Sequence, residues 1–305
     1  MKRSMLIALA LLVVCVGGVI RLRPVEVGLA MTDLAVWHAG VASGYTSVGG
    51  HRIHYFEAKP RGSGQHAVPV VLLHGLGARA EDWMRLMPLM SSRGYHVYAP
   101  DLLGYGRSEQ PSDASFSLSE EEQVVRGFLD AQGIKQADVA GWSLGGWIAL
   151  KLALDWPERV RRVVGMDAAG IYFVPPIPLS DFAPHNSAEL GELVNALEPH
   201  DRSIPPWVAR DVLRRMRHNG WVIERGEQSM MDGRELLDFR LADMQRPVLY
   251  VWGGADRMTP PATGERMHAL TPGSEFVEIP KCGHLAPHEC ARQVLEPMDA
   301  FLSKP

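Results

Sequence analysis

The chain has 305 residues, 46% hydrophobic and 22% charged, with a formal net charge of −4. This is the composition of an ordinary globular protein with apolar mass for a large core, which excludes a disordered or fibrous chain. No basic excess is available to hold nucleic acid, and Cys15, Cys282 and Cys290 show no metal-ligand spacing.

The N-terminus stands apart. Lys2 and Arg3 precede an uncharged apolar run over residues 4–20, closed by Arg21 and Arg23. A basic start followed by an apolar core marks an export signal or an anchor. At 1.5 Å per residue the run gives about 25 Å, just short of a bilayer core of about 30 Å. The best small-residue cleavage site, Gly28-Leu29-Ala30, lies beyond the arginines. An uncleaved signal-anchor over residues 1–30 is therefore expected, with a cleaved signal peptide as the alternative. Either places the rest of the chain outside the cytoplasm, in a cell envelope or secreted.

Residues 46–48 and 52–57 read as two strands joined by the hairpin pair Gly49-Gly50. A continuous apolar run over 68–73 is expected of a strand buried on both faces, and it ends in His74-Gly75-Leu76-Gly77. A short helix over 83–90 and a strand over 96–99 follow. Ser119, with Glu122 three residues on, reads as a capping box opening a helix over 119–132 that Gly133 closes. Then come a strand at 137–140, the turn Gly141-Trp142-Ser143-Leu144-Gly145-Gly146, an apolar helix stopped by Pro157, and a strand over 162–166.

After residue 170 the composition shifts. Proline-rich stretches separate amphipathic helical pieces at 188–197 and 206–218, and the strand–helix alternation stops. We read residues 171–245 as an inserted cap, since these pieces are too short to bury a core alone. The alternation resumes with a strand over 247–252, a helix over 261–270, a strand over 275–279 and a helix over 289–302. The whole predicts an α/β fold: a mostly parallel sheet of about eight strands with helices on both faces and a helical cap.

The chemistry centres on Ser143. Gly-x-Ser-x-Gly between a strand and a helix is the signature of a serine held on a sharp, positive-φ turn, where neighbours two residues away must lack Cβ. A serine hydroxyl needs a base to take its proton, and the base needs an orienting acid. His284 follows the strand over 275–279, and Asp256 follows the strand over 247–252, so both reach the sheet edge where sites assemble. Asp167 is the competing acid; His218, His268 and His288 are the competing bases. An oxyanion hole needs two N–H groups. Leu144, opening a helix, supplies one, and Leu76, with Gly77 as fallback, the other. His74 reads as structural, as does the stretch over 101–108.

These motifs together resemble the α/β-hydrolase fold superfamily over roughly residue 45 to the C-terminus, most weakly across the cap. The segment Met166-Asp167-Ala168-Ala169-Gly170-Ile171 and the basic-apolar start are similar to membrane-anchored or secreted bacterial lipases and esterases, and to monoacylglycerol lipases with an N-terminal span. The resemblance implies core residues 31–170 and 246–305, with nucleophile, acid and base at Ser143, Asp256 and His284. Haloalkane dehalogenases and epoxide hydrolases of this fold carry Asp where Ser143 stands. Carbon–carbon bond hydrolases of ring-fission diketones share the serine turn and a segment like Lys281-Cys282-Gly283-His284, so they stay open.

The expected function is a serine esterase or lipase acting on a small-molecule ester or lipid through an acyl-enzyme. No metal or organic cofactor is implied. A carbon–carbon hydrolase and a non-catalytic binding protein are the alternatives. Met230, Met231, Trp207, Trp221, Phe173 and Phe182 are candidates to line an acyl pocket. A free buried Cys282 is expected in preference to a Cys282–Cys290 disulfide.

Overall fold

The computed structural model describes residues 17–18, 20–61, 66, 68–174, 182–198, 200 and 203–304. Most of the apolar run over 4–20 lies outside these residues. Among the described residues no helix is long and apolar enough to cross a membrane.

Eight strands form one sheet in the order β1-β2-β4-β3-β5-β6-β7-β8. They are β1 (Val41–Val48), β2 (His51–Ala58), β3 (Val70–Leu73), β4 (Val97–Pro100), β5 (Ala137–Trp142), β6 (Val160–Met166), β7 (Val248–Gly253) and β8 (Glu275–Ile279). The β1–β2 and β2–β4 pairs are antiparallel and the rest parallel. Gly49 and Gly50 turn the hairpin at φ 58° and 90°, backbone that glycine adopts without steric cost.

The helices are α1 (Pro24–His38), α2 (Met87–Ser92), α3 (Leu118–Ala131), α4 (Leu144–Asp155), α5 (Ser187–Leu197), α6 (Pro206–Met231), α7 (Pro261–Leu270), α8 (Ala286–Glu289) and α9 (Ala291–Leu302). The sheet separates two cores, as the two-residue period of a strand dictates. In β3, Val71 and Leu73 face a core with Phe128, Trp147 and Ile148. Val70 and Leu72 face the other, with Trp83, Leu249 and Val294.

Several boundaries differ from the sequence reading. The helix expected over 83–90 is a 3-10 turn, Ala80–Trp83, followed by α2. The cap of α3 is Ser117, which accepts from the Glu120 N–H at 3.2 Å, whereas Ser119 donates to Glu235 at 2.6 Å. The final helix breaks at Cys290 into α8 and α9. The insertion between β6 and β7 is helical, but its second helix continues past residue 218 to Met231. Tertiary packing carries it there: Val222 and Ile223 are buried against the main core, and a Cβ on Gly226 would stand 2.9 Å from the Tyr105 hydroxyl.

Helix α1 lies against α6. The Val25 N–H donates to Asp211 Oδ2 at 3.0 Å, and Arg215 pairs with Glu26 at 2.6 Å.

Candidate active site

Strands β5, β6, β7 and β8 are consecutive neighbours in the sheet, and their C-terminal ends run into Ser143, Asp167, Asp256 and His284 respectively. One edge of a parallel sheet thus collects four polar side chains from four separate strands.

Ser143 caps α4 at φ 55°, ψ −117°, on the left-handed side that side chains rarely adopt. The flanking glycines explain how the chain reaches it. A Cβ on Gly141 would stand 2.0 Å from the Gly145 carbonyl oxygen, and one on Gly145 would stand 2.1 Å from that of Leu73. The turn is braced from both sides. The Ser143 N–H donates to the Met166 carbonyl at 3.0 Å, and the Ser143 carbonyl accepts from Gly146, Trp147 and Ala169.

His284 is 1% exposed. Its Nδ1 lies 2.8 Å from Asp256 Oδ2, and its carbonyl accepts the Trp142 indole N–H at 2.6 Å. Asp256 Oδ1 accepts the N–H groups of Met258 and Thr259 at 2.7 and 3.0 Å. Its Oδ2 accepts the Thr259 hydroxyl at 2.7 Å. Sequence reasoning did not single out Thr259; the Asp256…Thr259-Pro260 spacing, with a side chain capping the next turn before a helix, was the available signal.

Ser143 and His284 open onto one cavity of about 280 Å³, walled by Leu76, Trp142, Phe182, Leu193, Met216 and Ile223 among others. A second cavity of about 410 Å³ also reaches Ser143 and is lined by Ile171, Phe173, Phe182, Met230, Met231 and Met258. Of the aromatic and methionine candidates, Trp207 and Trp221 line neither cavity; Trp221 packs edge-on against Phe116 at 5.4 Å. Leu144 opens α4, so its N–H is among the first-turn donors that no helix carbonyl takes. Leu76 lies on the cavity wall, beside Gly77 at φ 68°.

His74 is buried. Its Nδ1 faces the Gly75 carbonyl at 2.8 Å, and its Nε2 accepts the Leu102 N–H at 3.0 Å. Burial pushes this imidazole below its ordinary pKa, as expected of a neutral structural histidine. Asp101 is likewise occupied, by the N–H groups of Ala80 and Arg107 and by His54 at 2.7 Å. Of the competing histidines, His218 lies on α6, His268 bonds Ser274 at 2.7 Å, and His288 is exposed beside the cavity.

Asp167 is fully buried at φ 44°. Burial, then the charge of Asp256, raises its carboxyl well above the ordinary range. Asp82 lines the cavity and was not anticipated; burial lifts it to about 6 against the N–H that Arg79 donates to it.

Contrary to the expectation of a free thiol, Cys282 and Cys290 form a disulfide with Cα atoms 6.2 Å apart. The break between α8 and α9 brings Cys290 back to the His284 loop, which sequence spacing did not reveal. Among the described residues no group of three His, Cys, Asp or Glu side chains could hold a metal.

An eight-stranded, mostly parallel sheet with a serine on a strained strand–helix turn defines the class of α/β hydrolases. A model of the alpha/beta hydrolase family matches residues 70–296, and the chain belongs to that family. It is 30% identical over 251 residues to a 2-hydroxymuconate semialdehyde hydrolase of Pseudomonas putida, covering 77% of this chain and 87% of the relative. It is 25% identical to Lipase 3 of Moraxella sp. (strain TA144), over 76% of each chain. A solved structure of a bacterial membrane phospholipase A matches all of both chains at 25% identity with a TM-score of 0.82.

Proposed function

We propose that this protein hydrolyses carboxylic esters of apolar substrates through an acyl-enzyme formed on Ser143. The observation that carries the reading is that Ser143 and His284, whose imidazole is bonded to Asp256, line the same largely apolar cavity. His284 takes the serine proton as Ser143 attacks the carbonyl, then returns it to the leaving alcohol. Asp256 fixes the imidazole's orientation and stabilises its charge. The N–H groups of Leu144 and Leu76 receive the oxyanion. The two cavities meet at Ser143, so one receives the acyl chain and the other the alcohol portion of an ester or lipid.

The relative from Pseudomonas putida supports a second reading, hydrolysis of a carbon–carbon bond in a ring-fission product. The apolar walls and the likeness to a lipase and a phospholipase favour the ester. The test is a series of nitrophenyl esters of increasing acyl length beside a ring-fission diketone, each assayed with wild-type protein and Ser143→Ala. Ester turnover that Ser143→Ala lowers at least about 10³-fold is the expected result. Turnover of the diketone alone establishes the second reading. Failure of a fluorophosphonate to label Ser143 leaves only a non-catalytic binding protein.

The protein also acts outside the cytoplasm in the cell envelope, held by its N-terminal segment. The basic-flanked run over 4–20 supports this, and the Cys282–Cys290 disulfide suits an oxidising compartment. The contacts of Val25 and Glu26 with α6 favour an uncleaved anchor, since cleavage near Met31 would remove both. Sedimentation with membranes and an intact N-terminal peptide are expected. A mature protein beginning near Met31 indicates a secreted or periplasmic form.

A further inference from the structure

The end of β6 carries a carboxyl that the mechanism above does not use. Strand β6 lies between β5 and β7, so Asp167 stands behind the acid of the triad. It is locked to β7 by two hydrogen bonds: its N–H donates to the Val251 carbonyl at 3.0 Å, and its Oδ1 accepts the Gly253 N–H at 2.6 Å. Its positive φ aims the side chain inward at a conformational cost. The other oxygen, Oδ2, is buried and receives no hydrogen bond. The carboxyl of Asp256 lies within hydrogen-bonding contact of the Asp167 side chain, and the Ala286 N–H also faces it. The Thr259 hydroxyl touches both residues, 2.7 Å from Asp256 Oδ2 and 3.1 Å from the Asp167 carbonyl oxygen.

Two carboxyls in contact in a dry site do not both ionise; one proton is held between them. The donors decide where the charge sits. Asp256 receives two N–H groups, a hydroxyl and the His284 ring. Asp167 receives one short N–H bond and faces a second N–H, that of Ala286, while its Oδ2 takes no hydrogen bond. A proton on Asp167 turns its carboxyl from a second acceptor into a donor for Asp256.

We propose that Asp167 and Asp256 form a carboxylic acid–carboxylate pair with a single proton. Asp167, the neutral partner, is a positioning residue that donates to Asp256 and keeps that carboxylate on His284. It takes up the negative charge when Asp256 is made neutral. This rests on the triad reading of Ser143, His284 and Asp256.

The experiment is a double-mutant cycle of Asp167→Asn and Asp256→Asn, read as kcat and KM for a nitrophenyl ester. Asn at position 167 keeps both an acceptor for Gly253 and a donor for Asp256. Asp167→Asn alone is therefore expected to stay within about threefold of wild-type kcat. Asp256→Asn is expected to lower kcat about 10³–10⁴-fold, with the residue sustained by charge on Asp167. Adding Asp167→Asn to it is expected to cost at least another tenfold in kcat, with KM within about twofold, since neither group touches substrate. A structural acceptor at 167 would leave the second substitution neutral in both backgrounds, which overturns the proposal. A large loss from Asp167→Asn alone also overturns it, because Asp167 would then be needed as an anion. Full activity in Asp256→Asn defeats the triad reading instead.

A second measurement needs no variant activity. Carboxyl-carbon NMR of wild-type protein labelled with ¹³C-aspartate is expected to show, beside Asp82, which titrates at about 6, a second aspartic acid that keeps its proton well above the ordinary carboxylate range. Absence of any such signal overturns the pair.

Discussion

The backbone N–H of His284 donates to the carbonyl of Leu197 at 3.1 Å, joining the loop that carries the imidazole to the last residue of helix α5. The same helix buries Leu193 and Ala196 against Met258, on the loop that carries Asp256. The insertion is thus a brace for two of the three proposed catalytic loops as well as a wall of the cavity.

Leu193→Ala tests that brace. Removing a buried leucine side chain costs about 2–4 kcal/mol, visible as a lower Tm. If α5 positions the loops, kcat for an ester falls several-fold at temperatures where the variant remains folded. Lost stability with unchanged kcat and KM would show that helix and loops are uncoupled.

The glycines in and beside the serine turn differ in how much they tolerate. Gly145→Ala places a methyl 2.1 Å from a backbone oxygen, whereas Gly75→Ala meets the Ser143 Cβ at 3.2 Å. The first is expected to lose more than about 4 kcal/mol or to fail to fold. The second should fold and lose mainly kcat, because the pressure falls on Ser143. Thermal unfolding and ester kinetics on both variants check the order.

The Cys282–Cys290 disulfide encloses His284, and the Cys282 carbonyl accepts the Ala255 N–H at 2.8 Å. Closing so short a loop is worth about 2–3 kcal/mol in the chain-entropy account. The double variant Cys282→Ser, Cys290→Ser is expected to lose that much stability and part of its kcat, and to become insensitive to reductant. Wild-type protein should lose Tm in reductant by the same amount.

Asp82 gives a pH signature. Its carboxyl is raised from 3.8 to about 6, chiefly by burial, so the folded state holds the proton more tightly than the unfolded chain. Stability from this group is therefore present at low pH and lost as pH rises from about 4 to about 6. Asp82→Asn keeps an acceptor for the Arg79 N–H and has nothing to ionise. The Tm of the variant relative to wild type should grow between about pH 4 and pH 7, then level off. A constant difference would place Asp82 in solvent.

Much of the site was legible because its chemistry is tied to strand ends. The turn around Ser143 announced itself through its glycines, which the backbone contacts at Gly141 and Gly145 require. His284 and Asp256 stood out because each follows a short strand of the alternating pattern. The reading erred where neighbours distant in sequence decide. Ser119 looked like a cap, but Glu235 claims its hydroxyl and Ser117 does the capping. Helix α6 outran its expected end because Val222 and Ile223 found a core to bury in.

The sequence by itself determined the strand–helix alternation, the serine turn and the placing of Ser143, Asp256 and His284 after strands β5, β7 and β8, since these follow from local backbone geometry and apolar periodicity. Only the tertiary structure decided that Asp167 stands against Asp256, that Cys282 meets Cys290, and that α5 holds the His284 loop. Those relationships join separate strands and the insertion, and their distances are set by sheet order and packing rather than by spacing along the chain.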